Sequence, residues 1–241
     1  MMEEQPALSA LEWPKFMEAI DARGFAVTPP LLDQATCRSL RGLYDDEALF
    51  RKRVVMARQS YGRGEYQYFS NPLPETVETL RQACYPPLAT LANRWEEALG
   101  RPPSFPDSLD RYLAKCHEAG QCRPTPLMLR YGPGDYNRLH QDLYGPLHFP
   151  LQMAVLLSQP DRGEGSGEFE GGEFVLTEQR ARVQSRVQVV PLKQGQAVIF
   201  SVNQRPARGA RGFHRVTMRH GVSEVRSGER FTLGIIFHDA A

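Results

Sequence analysis

The stretch "LHQD" sets His140 and Asp142 two residues apart. On an extended strand, positions i and i+2 project to the same face, so an imidazole and a carboxylate would converge there. One further histidine would complete a two-histidine, one-carboxylate face. Such a face suits a non-haem Fe(II) and leaves metal positions open for a chelating cosubstrate and O2. Two candidates for that histidine stand six residues apart in "GFHRVTMRHGVSEV", His214 and His220. Both positions are even, so on one continuous strand their rings share a face and alternation does not separate them. An H-x-D pair alone is a common surface accident, and its meaning depends on the elements around it. His117, His148 and His238 have no comparable partners in sequence and read as surface or supporting residues.

The elements that must position these groups fall into two textures. The first half reads as helix: "SALEWPKFMEAIDARGF" has a cap at Ser9 and a stop at Gly24, and "DQATCRSLRGLYDDEALF" starts a second helix at Asp33. "PETVETLRQACYPPLATLANRWEEALG" gives one or two more, broken at Pro86 and Pro87 and closed by Gly100. From Pro126 the chain turns into short β-rich runs, among them "LQMAVLLSQ", "GGEFVLTE", "QAVIFSV" and "RFTLGIIF", bounded by Gly, Pro and charged turns. Evenly spaced strands without intervening helices predict a sandwich or barrel. The expectation is a single α+β domain over 1–241. Its mainly β core would span 126–239, and 1–125 would be a mainly helical elaboration.

Within the first half, residues 54–71 form a candidate substrate loop. Arg58, Tyr61, Arg63, Tyr66, Tyr68 and Phe69 mix aromatics with cations around two glycines. Such a loop can clamp a flat substrate by stacking, or pack its rings on the core. Both readings stay open.

With 24% charged residues, 41% hydrophobic residues and a net charge of +1, the 241-residue chain has an ordinary globular composition. The near-neutral total hides an asymmetry: from Gln179 to Arg230 eleven Lys and Arg face two acids, a local charge of +9. That polarity suits an anionic partner, nucleic acid or a small carboxylate. No apolar run is long enough to cross a bilayer, and "MMEEQPALSALEW" lacks the basic and apolar regions of a signal peptide, so the expected location is cytoplasmic. Four scattered cysteines, Cys37, Cys84, Cys116 and Cys122, suit reduced thiols rather than a disulfide scaffold or a structural zinc site.

Set in order, several weak motifs gain a joint meaning. "RYGPGDYNRLHQD" resembles the first metal-binding strand of 2-oxoglutarate and Fe(II)-dependent dioxygenases, especially the AlkB-like enzymes that demethylate alkylated nucleic acid. "EFEGGEFVL", "LKQGQAVIF" and "HGVSEVRSGERFTLGIIF" resemble the middle and closing strands of the prolyl 4-hydroxylase branch of that superfamily. The resemblance covers roughly residues 126–239. It implies a double-stranded β-helix (jelly roll, cupin-like) that binds Fe(II), 2-oxoglutarate and O2 and releases succinate and CO2. In the resembling pattern the distal histidine precedes the cosubstrate-binding arginine by ten residues. His220 lies ten residues before Arg230 and His214 sixteen, so the implied ligands are His140, Asp142 and His220. Arg230 would then receive the distal carboxylate of 2-oxoglutarate, and Tyr131 would donate its hydroxyl to it. Leu129 stands where AlkB-like enzymes often carry Asn, so that polar contact is not expected.

The expected reaction is oxidation, specifically demethylation, of a base in single-stranded or damaged DNA or RNA. Arg58, Tyr61 and Tyr66 would cover a flipped base. Arg205, Arg208, Arg211 and Arg215 would contact phosphates, with His214 beside the mouth. The competing expectations are hydroxylation of a protein side chain, as by prolyl hydroxylases, or of a small metabolite. A non-catalytic jelly-roll module that binds nucleic acid is a third.

Overall fold

The computed structural model describes residue 8 and residues 11–161, 163, 165–209 and 212–241. The Ser9 cap and Arg211 lie outside the described residues. The α-helices whose residues are all described are α1 (Trp13–Arg23), α2 (Gln34–Gly42), α3 (Glu75–Ala98) and α4 (Leu109–Glu118). The strands are β1 (Phe25–Pro30), β2 (Phe50–Val55), β3 (Gly62–Arg63), β4 (Glu65–Phe69), β5 (Leu127–Tyr131), β6 (Tyr136–His140), β7 (Leu151–Leu156) and β8 (Phe169–Gly171). They continue as β9 (Phe174–Gln179), β10 (Arg186–Val190), β11 (Gln196–Ser201), β12 (Gln204–Gly209), β13 (Gly212–Val222), β14 (Val225–Gly228) and β15 (Arg230–Ile236).

Among the described residues two main antiparallel sheets and a two-stranded β8–β14 pair result. The larger runs β1-β11-β7-β15-β5-β4-β2 and the smaller β10-β9-β13-β6-β3, with β12 paired to β13. This is the double-stranded β-helix expected from the texture of the second half. The N-terminal half also supplies four strands, three of them in the larger sheet. Residues 54–71 are therefore a strand hairpin with a 3-10 turn at Met56–Gln59 rather than a free loop.

The larger sheet is covered on both faces, so its central strands read as unbroken apolar runs, and period-2 alternation still decides where each side chain goes. On β15, Leu233 and Ile235 join Met153 and Val155 of β7 in the core beneath the helices. Arg230, Thr232 and Gly234, the alternate positions, turn to the space between the sheets. There Ala154, Leu156, Phe174, Leu176, Val198 and Phe200 form a second apolar cluster. Fully burying one such Leu, Ile or Phe side chain contributes about 1.5–3 kcal/mol, so both layers hold the sheet in place.

Most local signals hold. Gly24 ends α1 at φ 83°, a left-handed conformation that glycine adopts without a Cβ penalty. Asp33 caps α2 by accepting from the Thr36 amide at 2.7 Å. The expected break at Pro86 and Pro87 does not occur, because α3 runs through both prolines. The carbonyls that lose their amide partners belong to Gln82 and Ala83, which are partly exposed and can bond water. The opposite side is buried along the helix from Val77 through Leu80, Cys84, Leu88 and Leu91 to Trp95, and that packing outweighs the roughly 3 kcal/mol helix penalty of proline. The second expected helix stops at Gly42, and the chain turns into β2. All four cysteines are unpaired thiols. Among the described residues no helix is long and apolar enough to cross a membrane.

Candidate metal centre and cosubstrate pocket

His140 ends β6 and is the register partner of His220 on β13. Their ring centroids lie 4.2 Å apart. Asp142 falls just beyond the strand end, where the Gln141 side chain donates to Asn203 Oδ1 and to the Met218 carbonyl on β13, both at 2.8 Å. That anchor turns Asp142 inward. Its Oδ1 lies 3.4 Å from His140 Nε2 and its Oδ2 3.3 Å from His220 Nε2. One donor atom from each residue lies within 4.8 Å of the other two, a spacing one metal ion can bridge.

Hydrogen bonding prepares these atoms for a cation. His140 Nδ1 contacts the Arg138 carbonyl at 2.7 Å, which fixes a proton on Nδ1 and aims Nε2 at Asp142 and the space between the donors. The Tyr144 hydroxyl donates to Asp142 Oδ1 at 2.6 Å. Burial pushes the Asp142 carboxyl up, but hydrogen bonds from His140 and His220 outweigh this and hold it well below the ordinary range. Burial, reinforced by the charge of His140, pushes His220 down, which favours the neutral imidazole that ligates metals. Phe200 packs on the His220 ring at 4.7 Å and Phe174 stacks at 6.0 Å, excluding water from that side.

These groups line a cavity of about 320 Å³ between the sheets. Its inner end holds Arg230, 2% exposed. Arg230 Nη1 donates to Thr232 Oγ1 at 2.6 Å, while its Nε has no hydrogen-bond partner among the described residues. Burial lowers the Arg230 pKa to about 10 against the opposing charges of Tyr131 and Glu173, and among the described residues no carboxylate is hydrogen-bonded to it. The Tyr131 ring lies 5.6 Å from its guanidinium, and the two residues are register partners on β5 and β15. Gly172 is needed beside it: a Cβ there would sit 2.7 Å from Arg230 Cδ. A charged fork buried with no hydrogen-bonded carboxylate among the described residues, in one cavity with three metal donors, fits a small dicarboxylate that chelates the metal at its other end.

The family profile described as "Oxygenase, catalysing oxidative methylation of damaged DNA" matches residues 64–240. The chain belongs to this Oxygenase-NA family. An uncharacterized protein of Mycobacterium tuberculosis is 47% identical over 206 residues, covering 83% of this chain and 86% of its own. Among solved structures, a Pseudomonas putida prolyl-4-hydroxylase aligns with TM-score 0.50 at 15% identity, over 95% of this chain and 99% of its own. A 2OG-Fe(II) oxygenase family oxidoreductase from Burkholderia pseudomallei aligns with TM-score 0.51 at 16% identity, over 96% and 94%. Family membership marks the chain as an oxygenase, the solved structures share its fold, and His140, Asp142 and His220 form a donor set that fits one metal ion.

In this Oxygenase-NA protein the remaining expected site residues separate. Tyr61 and Tyr66 line the metal cavity, and Tyr61, 49% exposed, stands at its rim. Arg58 lies in an adjoining groove. His214 and Arg208 sit on the β12–β13 hairpin, with His214 opposite Ala207 and Arg208 opposite Phe213. At about 3.3 Å per residue His214 is roughly 20 Å along β13 from His220, and neither His214 nor Arg208 lines the cavity. Arg205 is not available to phosphate, because it is buried and ion-paired to Glu178 at 2.6 Å. Asn137, Gln141, Tyr144, Gln152 and Thr232 line the cavity without having been singled out in the sequence. Thr232 and Tyr144 each stand two residues after a functional group, the spacing that could have found them.

Proposed function

We infer that this oxygenase removes alkyl groups from nucleic-acid bases, with His140, Asp142 and His220 holding Fe(II) and Arg230 holding 2-oxoglutarate. The observation that carries the site assignment is the buried Arg230 guanidinium, which has no hydrogen-bonded carboxylate among the described residues and shares one cavity with the three-donor cluster. Bound there, Fe(II) and 2-oxoglutarate would activate O2 for oxidation of a C–H bond, with succinate and CO2 as coproducts. The chain's own residues orient and exclude. His140 and His220 present Nε2 atoms, and Tyr144 steadies one Asp142 oxygen. Thr232 and the Tyr131 ring fix the fork of Arg230, while Phe174 and Phe200 keep the imidazole side dry.

The substrate reading is supported by the family description and by Tyr61 and Tyr66 at the cavity, whose faces can stack on a base drawn out of its strand. Oxidation of an N-methyl carbon gives a hemiaminal, which breaks to the free amine and formaldehyde, so the reaction runs toward removal of the methyl group.

The test supplies Fe(II), 2-oxoglutarate and O2 with methylated single-stranded oligonucleotides, proline-containing peptides and free amino acids. The expected result is succinate and formaldehyde formed in step with loss of the methyl group, on oligonucleotides alone. Turnover on peptide or amino acid with none on oligonucleotide would overturn the substrate reading. The site assignment is checked separately: anaerobic Fe(II) and 2-oxoglutarate should give a charge-transfer band that vanishes in His220→Ala and survives in His214→Ala.

A further inference from the structure

A second groove of about 740 Å³ runs alongside the metal cavity and shares Tyr61, Tyr66 and Tyr144 with it. Its wall is β2 and the 3-10 turn that follows, which contribute Arg51, Lys52, Arg53 and Arg58, and Arg123 faces them from the loop before β5. Among the described residues five cations line it and no Asp or Glu side chain does. Arg53 is the exception to its openness, because it is tied to Glu65, with Nε donating at 3.0 Å. Arg51 is held by a 2.8 Å bond to the Pro124 carbonyl and lies 4.5 Å over the Tyr68 ring, which fixes its guanidinium in place. Lys52, Arg58 and Arg123 are exposed and make no ion pair with any described residue. Arg123 is itself positioned by paired backbone bonds with Ala240, at 3.0 and 2.8 Å.

This cationic concentration lies outside the basic 179–230 segment in which the sequence shows its charge excess. The groove gains its character from residues 51–58 and 123, far apart in sequence and assembled by the β2–β4 hairpin against β5. It abuts the cavity through aromatic side chains, whereas Arg208 and Arg215 of the β12–β13 hairpin line neither space.

We propose that the groove of Arg51, Lys52, Arg58 and Arg123 is the track for the sugar-phosphate backbone of a single-stranded nucleic acid, whose reacting base passes Tyr61 and Tyr66 into the metal cavity. The proposal rests on the nucleic-acid reading of the cavity. A strand laid in the groove has its phosphates against fixed and exposed cations and its bases against tyrosine faces, the pairing by which single strands are held without sequence readout. A duplex keeps its bases stacked inside and cannot deliver one across Tyr61 without opening.

The test measures fluorescence anisotropy of labelled single-stranded DNA, single-stranded RNA and duplex DNA with the full-length protein across a salt series. The variants are the triple substitution Lys52→Ala, Arg58→Ala, Arg123→Ala and, as a comparison, the double substitution Arg208→Ala, Arg215→Ala. The Fe(II)/2-oxoglutarate charge-transfer band serves as the check that each variant is folded around an intact site. The triple variant should lose on the order of tenfold or more in affinity at low salt, and its log–log salt slope should fall by about 2, near 0.7 for each phosphate no longer neutralised. The hairpin variant should retain the wild-type affinity and slope, and duplex should bind more weakly than either single strand. If the triple variant with an intact band binds single strands as wild type does, or if the hairpin variant is the one that loses slope, the track is wrong while the base-oxidation reading stands. If wild type binds no single strand and turns over no methylated oligonucleotide, both fall together.

Discussion

Two buried arginines, one in each sheet's territory, show how the same side chain serves two purposes. Arg205, 1% exposed, has its anion in place: its Nη2 donates to Glu178 at 2.6 Å and its Nη1 to the carbonyls of Asp21 and Pro206, although its Nε, like that of Arg230, has no hydrogen-bond partner among the described residues. Arg230, 2% exposed, has among the described residues the Thr232 hydroxyl as a hydrogen-bond partner and no hydrogen-bonded carboxylate. An interior cation with its anion built in is part of the scaffold that ties β12 to β9 and to the end of α1. An interior cation without one keeps its strongest interaction unmade, which a protein tolerates where a ligand will supply the anion.

The comparison is most sharply broken by replacing each arginine with methionine, which keeps much of the volume and removes the charge. Arg205→Met leaves the buried Glu178 with only the exposed Arg180 as its cation and should cost up to about 3–5 kcal/mol of stability. The folded fraction should still bind 2-oxoglutarate normally. Arg230→Met strands no carboxylate, so stability should stay the same or rise, while 2-oxoglutarate affinity falls by about 2–5 kcal/mol. Chemical denaturation gives the first quantity, and titration of the charge-transfer band gives the second. Equal destabilisation by both variants, with cosubstrate affinity intact in Arg230→Met, would remove the distinction.

A smaller effect concerns pH. Burial raises the Glu178 carboxyl, but hydrogen bonds and charges from Arg180 and Arg205 outweigh it, and the folded-state value lies below the ordinary one. A depressed carboxylate contributes stability that is fully present above its unfolded value, near 4.3, and is lost as pH falls through the folded value. Glu178→Gln should therefore lose about 1–3 kcal/mol at pH 7. The gap to wild type should close as pH drops below about 4. Denaturation curves at neutral, mildly acidic and strongly acidic pH read it directly, and a gap of constant size across that range would mean that Glu178 acts by shape rather than charge.

The clustering of His140, Asp142 and His220 was legible from short-range spacing: i and i+2 on a strand for His140 and Asp142, and, for His220 and Arg230, the ten-residue separation that the family resemblance implied. The structure brings those four together and leaves His214 near the far end of its strand, opposite Ala207. The status of Arg205 was not legible, because its partner Glu178 sits 27 residues earlier on a different strand and nothing local marks the pairing. The groove was hidden for the same reason, since Arg123 meets residues 51–58 only after β4 has paired with β5. The proline pair misled because a local rule, that proline ends helices, met a helix whose buried side is continuous across the exposed Pro86.

The finest test asks whether hydrogen bonds near Arg230 and Asp142 serve ligands while those near Arg205 serve the fold. Tyr144 donates to Asp142 Oδ1 at 2.6 Å, and its ring packs 6.1 Å from Tyr68 and 6.0 Å from His238. Tyr144→Phe keeps that packing and removes one donor to a carboxylate that already has two histidine partners. Losing such an outer hydrogen bond typically weakens metal binding about 10- to 100-fold by letting the carboxylate rotate. The expected signature is a rise of that size in the Fe(II) concentration needed to develop the charge-transfer band at saturating 2-oxoglutarate, with the melting temperature of the metal-free protein nearly unchanged. A variant that melts earlier yet binds iron as wild type does would put Tyr144 on the scaffold side of the comparison, with Arg205.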